Sequence, residues 1–281
     1  MQYDTAAAIY TDLTVPSTSL LGLVLLLLVT LPLAAVAGFY TGKSRRATVL
    51  QQGKEIDMVV GETTLGAIMA LLGLLLAFTF GNALTISQAR KATLTEEAAA
   101  LGTAFLRADY LAEPGRTELQ KALLTYAETR VIADRAHRPE GFTPQEFLEE
   151  TLSAQAVLWP LTLEATGGDT PPAIQSMVAS AMNDALDAHL YRMQTSTLPI
   201  STYTHLMLLA AALMALFLLG NRAGMLGRQL TWRTFVLSGF LFFVMTTILD
   251  TQRGGEGLIR IDDTALKATI FDMRTALEGR T

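Results

Sequence analysis

The stretch TLGAIMALLGLLLAFTFGNAL, residues 64–84, carries no charged residue and only three polar side chains. As a helix rising 1.5 Å per residue it would be about 31 Å long, close to the thickness of the hydrocarbon core of a bilayer. It lies inside a charge-free gap of 27 residues, 63–89, and three further gaps of 30, 29 and 16 residues cover 13–42, 193–221 and 234–249. An apolar run of roughly 20 residues crosses lipid as a helix. The sequence therefore predicts four membrane spans, at 20–40, 64–84, 200–220 and 232–249, and excludes a soluble fold. The fourth is the shortest, and Trp232 and Arg233 at its start suit the membrane interface. The residues ahead of span one include Asp4 and Asp12 but no Lys or Arg, which argues against a cleavable signal peptide.

Residues 87–199, between spans two and three, have ordinary aqueous composition, with fifteen acidic and nine basic side chains. Their pattern is helical. Leu94, Leu101 and Phe105 form one apolar stripe and Leu119, Leu123 and Tyr126 a second. Pro114-Gly115 separates these two helices, and a turn at 138–141 ends the second. Thr143 caps a third, with Pro144 at its first position and Glu146 closing a capping box; Trp159-Pro160 kinks or ends it. Residues 167–171 form a loop, and a fourth helix runs over 171–196. Only 257–261 has any strand character. From Glu62 to Glu113 there is no proline, so span two is expected to continue unbroken into the aqueous region. The expected fold is all-α and integral to the membrane, with four transmembrane helices and a helical aqueous domain between spans two and three. Its divisions are 1–86, 87–199, 200–249 and an aqueous tail, 250–281.

Two stripes run along span two. Gly66, Ala70, Gly73, Ala77 and Gly81 recur at steps of four and three, a row of small residues suited to packing one span closely on another, since hydrophobicity gives helices no drive to associate in lipid. Leu71, Leu74, Phe78, Asn82 and Thr85 share another face. If several copies met around it, rings of Leu and Phe would be followed by rings of Asn and Thr, and a hydrophobic constriction beside polar rings is one way to build a gated ion path. A Leu/Phe stripe facing lipid or core is the plainer reading. In that case Asn82 hydrogen-bonds a neighbouring helix.

Several chemistries are excluded or disfavoured. The chain has no cysteine, which removes disulfides and thiolate sites. Its net charge of −5, without a basic cluster, argues against nucleic acid. His205 is the one ionisable residue inside a span, unlike proton-coupled carriers, and a structural or solvated role is expected for it. His137 and His189 lack partners at metal-ligand spacing. Asp184, Asp187 and His189 read as a solvated helix face. Glu96 and Glu97 are adjacent and point about 100° apart, so they cannot share a proton. No phosphate-binding loop, nucleophile elbow or dinucleotide fingerprint is present. The expectation is a protein without cofactor, metal or catalytic residues.

Leu74-Leu-Leu-Ala-Phe78, Gln88-Ala-Arg90, Glu96-Glu97-Ala98, Gly102-Thr103-Ala104 and Arg107-Ala108 resemble, in order and spacing, the second span and following helix of the bestrophin-like membrane proteins of bacteria and plants, a family of largely unknown function. Asn183, Asp187 and Arg192 resemble its last aqueous helix, and Ile248-Leu249-Asp250, Arg253 and Gly257-Leu258-Ile259 a signature after span four. The chain departs at Gly254, where the family has proline, and at 262–266, where a Ser-x-x-Pro-Leu run is expected. The family is distantly similar to the bestrophins, which are pentameric chloride channels. The resemblance implies a homo-oligomer in a cell membrane, the bacterial inner membrane, with chloride or other small anions passing along span two. By that likeness Leu74, Phe78 and Ala70 would line a neck, whereas the helical wheel assigns Ala70 to packing. The likeness also places the aqueous domain in the cytoplasm. The basic residues Lys43, Arg45, Arg46, Lys54, Arg222, Arg228 and Arg233, in short loops on the opposite side, favour the reverse by the positive-inside rule. A different reading makes the chain a non-conducting scaffold or sensor whose spans anchor a helical partner-binding domain.

Overall fold

The computed structural model describes residues 19–56, 59–131, 144–197, 202–253, 258–259 and 261–279. Among these, every regular element is a helix: α1 (Leu20–Gln51), α2 (Glu62–Arg107), α3 (Gly115–Thr129), α4 (Pro144–Ala156), α5 (Leu158–Ala165), α6 (Pro172–Thr197), α7 (Thr202–Met225), α8 (Trp232–Arg253) and α9 (Thr264–Glu278), with a 3-10 turn at Ala108–Tyr110. Helices α1, α2, α7 and α8 are long and apolar enough to cross a membrane. The turn at 138–141, the Thr143 cap, His137, Asp4 and Asp12 lie outside the described residues. So do Gly257 and Arg260, and Leu258 and Ile259 form a bend.

The chain divides into two compact units, one from Pro16–Ser87 and Pro199–Arg260, the other from Gln88–Leu198 and Ile261–Thr281. The first holds the apolar helices. Ser19 caps α1, its hydroxyl accepting from the Gly22 amide at 3.1 Å. The helix runs through Pro32 and continues past the expected end at 40 to Gln51. It stops where Gly53 turns left-handed (φ +67°), a conformation glycine adopts without penalty. The core of this unit joins Leu27, Leu31 and Ala35 of α1 to Leu72, Leu76 and Ala83 of α2, Leu208, Ala212, Ala215 and Leu216 of α7, and Leu241, Met245 and Ile248 of α8.

Helices α1 and α7 make the closest approach in this unit. A Cβ placed on Gly38 would collide with the Phe217 carbonyl, on Gly42 with that of Asn221, on Gly220 with that of Ala35, and on Gly224 with that of Phe39. Contacts advance together along both helices, from Ala35 against Gly220 to Gly42 against Asn221 and Met225, so the two run parallel. The glycines stand four apart on each helix, which lets backbone meet backbone, as membrane helices do when no hydrophobic force draws them together.

The second unit is a helix bundle with its own buried core. The stripes Leu94, Leu101, Phe105 and Leu119, Leu123, Tyr126 are all buried, as their spacing predicts. They pack with Val178, Ala181, Met182 and Ala185 of α6 and with Leu266, Ile270 and Met273 of α9, so the segment after span four completes this core. Burying each large side chain contributes roughly 1.5–3 kcal/mol. Helix α2 is continuous through its 46 residues, about 69 Å at 1.5 Å per residue. Its end is secured by Gln120, whose amide donates to the Phe105 carbonyl and the Asp109 carboxylate, both at 3.0 Å. The break expected at Trp159-Pro160 falls earlier, at Val157. Pro160 sits in the first turn of α5, where a backbone N–H has no helical partner to lose.

Candidate functional site

Helix α2 presents three faces along its apolar half. One row, Leu65, Leu72, Leu76, Thr79 and Ala83, is buried. At 100° per residue the small-residue row lies about 120° to one side of it and the Phe-bearing row about 140° to the other. Both are uncovered. Leu71, Leu74 and Phe78 are 58%, 52% and 70% exposed, and Asn82 and Thr85 are exposed with them. Gly66, Ala70, Gly73, Ala77 and Gly81 are exposed too, and no atom lies within 4 Å of a Cβ built on any of the three glycines. Ala70 thus belongs to an open face beside the Leu74/Phe78 row. Within the chain the close packing expected of this small-residue row is made instead by Gly38, Gly42, Gly220 and Gly224. The Thr85 hydroxyl is satisfied by donating to the Gly81 carbonyl at 3.1 Å. Among the described residues nothing hydrogen-bonds the Asn82 amide.

The C-terminal half of α2 carries a buried charge cluster. Glu97 is fully buried, while Glu96, one residue earlier, faces solvent. Arg130 donates through Nε to one Glu97 oxygen at 2.7 Å, and Arg192 through Nη1 to the other at 2.6 Å. Asp263, just before α9, lies 3.8 Å from Arg192. The two carboxylates balance the two guanidinium groups. Burial pushes the Glu97 carboxyl up, but Arg130 and Arg192 outweigh it and hold the group below the usual carboxylate range. His189 Nδ1 and the Tyr126 hydroxyl share a 2.9 Å hydrogen bond. Burial, helped by Arg130 and Arg192 and opposed by Glu97, pushes the imidazole down to about 3. A neutral ring fits beside two arginines. His189 therefore does not share the solvated face read from the sequence, although Asp184 and Asp187 do. His205 meets Gln252, with Nε2 and the amide oxygen 2.6 Å apart.

The motif residues quoted above make specific contacts. Glu97 and Arg192 meet across 95 positions. Arg107 donates to the Met177 carbonyl and Arg90 to that of Thr195. Asp250 accepts from the backbone amides of Leu258 and Ile259 at 3.0 to 3.1 Å. Sequence reasoning missed the role of Arg130, whose position carries no local signal. It also missed the glycine pairs of α1 and α7, which were legible as two four-residue repeats. Among the described residues no three His, Asp or Glu side chains gather as a metal would require. Compared with protein-family models, with curated proteins and with solved structures, the chain matches none.

Proposed function

We propose that the protein is a homo-oligomer in which copies of α2 face one another through the Leu71–Leu74–Phe78–Asn82–Thr85 row and enclose a path for chloride or other small anions. The observation that carries this reading is the uncovered Asn82 amide. In a span whose surroundings are apolar, an unpaired primary amide is costly, and a second copy or a water-filled axis would satisfy it. The neighbouring Leu and Phe side chains would form the hydrophobic constriction of such a path. The likeness to bestrophin-like proteins points the same way, since it assigns the lining to the second span.

The chain has no cysteine, so single cysteines report cleanly. Asn82→Cys is expected to crosslink between copies in liposomes, and Phe78→Ala to increase anion efflux from vesicles loaded with chloride. The conducting reading is abandoned if neither the parent protein nor Phe78→Ala passes ions.

The competing reading, a non-conducting scaffold, draws on the aqueous unit, where Leu106, Tyr110, Tyr191 and Phe271 are each more than half exposed. Under that reading they meet a partner protein. A monomer in mild detergent that captures a partner through this unit would favour it.

A further inference from the structure

The membrane unit holds a second uncovered feature, where α1 and α7 end together. One turn past the last glycine contact, the Arg46 guanidinium lies directly over Gly227, whose left-handed backbone (φ +69°) turns the chain after α7. Arg228 follows it. Arg222, on the last turn of α7, donates to Glu62 at 2.6 Å, and Arg228 lies within electrostatic reach of the same carboxylate. Two guanidinium groups thus act on one acid, with the Arg46 guanidinium against the adjoining turn, and that acid is largely exposed, its side chain 79% accessible. The Nε atoms of Arg46 and Arg222 are buried and, among the described residues, have no acceptor. Leaving a buried donor unpaired costs about 1–3 kcal/mol, more when it is charged, so the cluster is short of acceptor oxygens.

Its depth identifies what could supply them. The apolar runs of α1 and α7 stop here. Tyr40, 63% exposed, and Trp232, 71% exposed, stand at the same end of the unit. Such aromatics mark the headgroup layer, where phospholipid phosphates lie. A phosphate offers several acceptors to a fork of arginines, and basic pockets between membrane helices take anionic headgroups.

We propose that Arg46, Arg222 and Arg228 form a binding site for the phosphate of an anionic phospholipid, seated where α1 and α7 leave the bilayer. The site is independent of whether α2 lines a pore.

The test uses the full chain in nanodiscs of phosphatidylcholine mixed with phosphatidylglycerol, with retained lipid counted by native mass spectrometry. Phosphatidylglycerol is expected to be retained in preference to phosphatidylcholine. Each arginine near the headgroup layer contributes about fivefold. Arg46→Gln with Arg228→Gln should therefore lower the preference about thirtyfold, whereas Arg46→Lys with Arg228→Lys keeps most of it and Arg116→Gln in the aqueous unit leaves it unchanged. Should the double variant fail to fold, Arg228→Gln alone, an exposed position, should lower it about fivefold. Equal retention of both lipids, or an undiminished preference in a folded Gln variant, overturns the proposal. So does displacement of the lipid by millimolar inorganic phosphate, which would make this a site for a soluble anion.

Discussion

The two units of this chain hold helices together by opposite means. In the apolar unit, α1 and α7 touch through Gly38, Gly42, Gly220 and Gly224 without a side chain between them. In the second unit, a fully buried Glu97 is gripped by Arg130 and Arg192, with His189 beside it. The difference is the one expected where lipid surrounds the first unit and water the second. Lipid does not drive apolar surfaces together, so helices there gain only what close approach and dispersion supply. Water does, and a core built by hydrophobic burial can hold ions when their charges are matched. A buried ion pair is weak evidence for stability. Here it joins α2 to α6 and to the segment after α3.

The largest effect is expected from filling a glycine between α1 and α7. Gly220→Leu places a side chain where the Ala35 carbonyl lies and should cost on the order of 5 kcal/mol or more, read as loss of a monodisperse species in detergent chromatography. Gly73→Leu, on the open face of α2, should leave the protomer's thermal stability unchanged. A severe loss there would show that the small-residue row is covered between copies.

Next in size is the ionic core. Glu97→Ala leaves two buried guanidinium groups without their shared carboxylate and should destabilise by about 3–5 kcal/mol, measured as a lowered unfolding midpoint. If the loss were only a few tenths, the cluster would be solvated and the contrast between units would fail.

Acid provides a finer probe. The folded-state value of His189, about 3, lies below the ordinary value of 6.5. Protons therefore favour the unfolded chain as pH falls below 6.5, and stability decreases until the folded value is reached. By linkage the loss between pH 7.5 and 5.5 is about 1.4 kcal/mol. His189→Gln should flatten that part of the pH–stability curve. Glu97, with its depressed value, contributes stability that is present above the ordinary carboxylate range and lost only in stronger acid.

The smallest effect belongs to the surface. Arg274 and Glu128 pair at 2.5 Å but are 56% and 42% exposed, and Arg274→Gln should leave the unfolding midpoint almost unchanged. A clear drop in the midpoint would mean that the outer ion pairs of this bundle stabilise it as its buried cluster does.

Local pattern alone carried the four apolar helices, the unbroken run from Glu62, and the buried stripes around Leu101 and Leu123, because charge gaps and the helical period are properties of neighbouring residues. Tertiary structure alone decided which glycines meet. Span two carries a longer row of small residues than α1 or α7, yet its row stays open while Gly38 and Gly220 close on one another. The same holds for Glu97, which looked like one half of an adjacent acidic pair until Arg192, 95 positions away, became its partner. Spacing along a helix tells which side chains share a face. What covers that face depends on where distant segments pack, and only the folded chain contains that information.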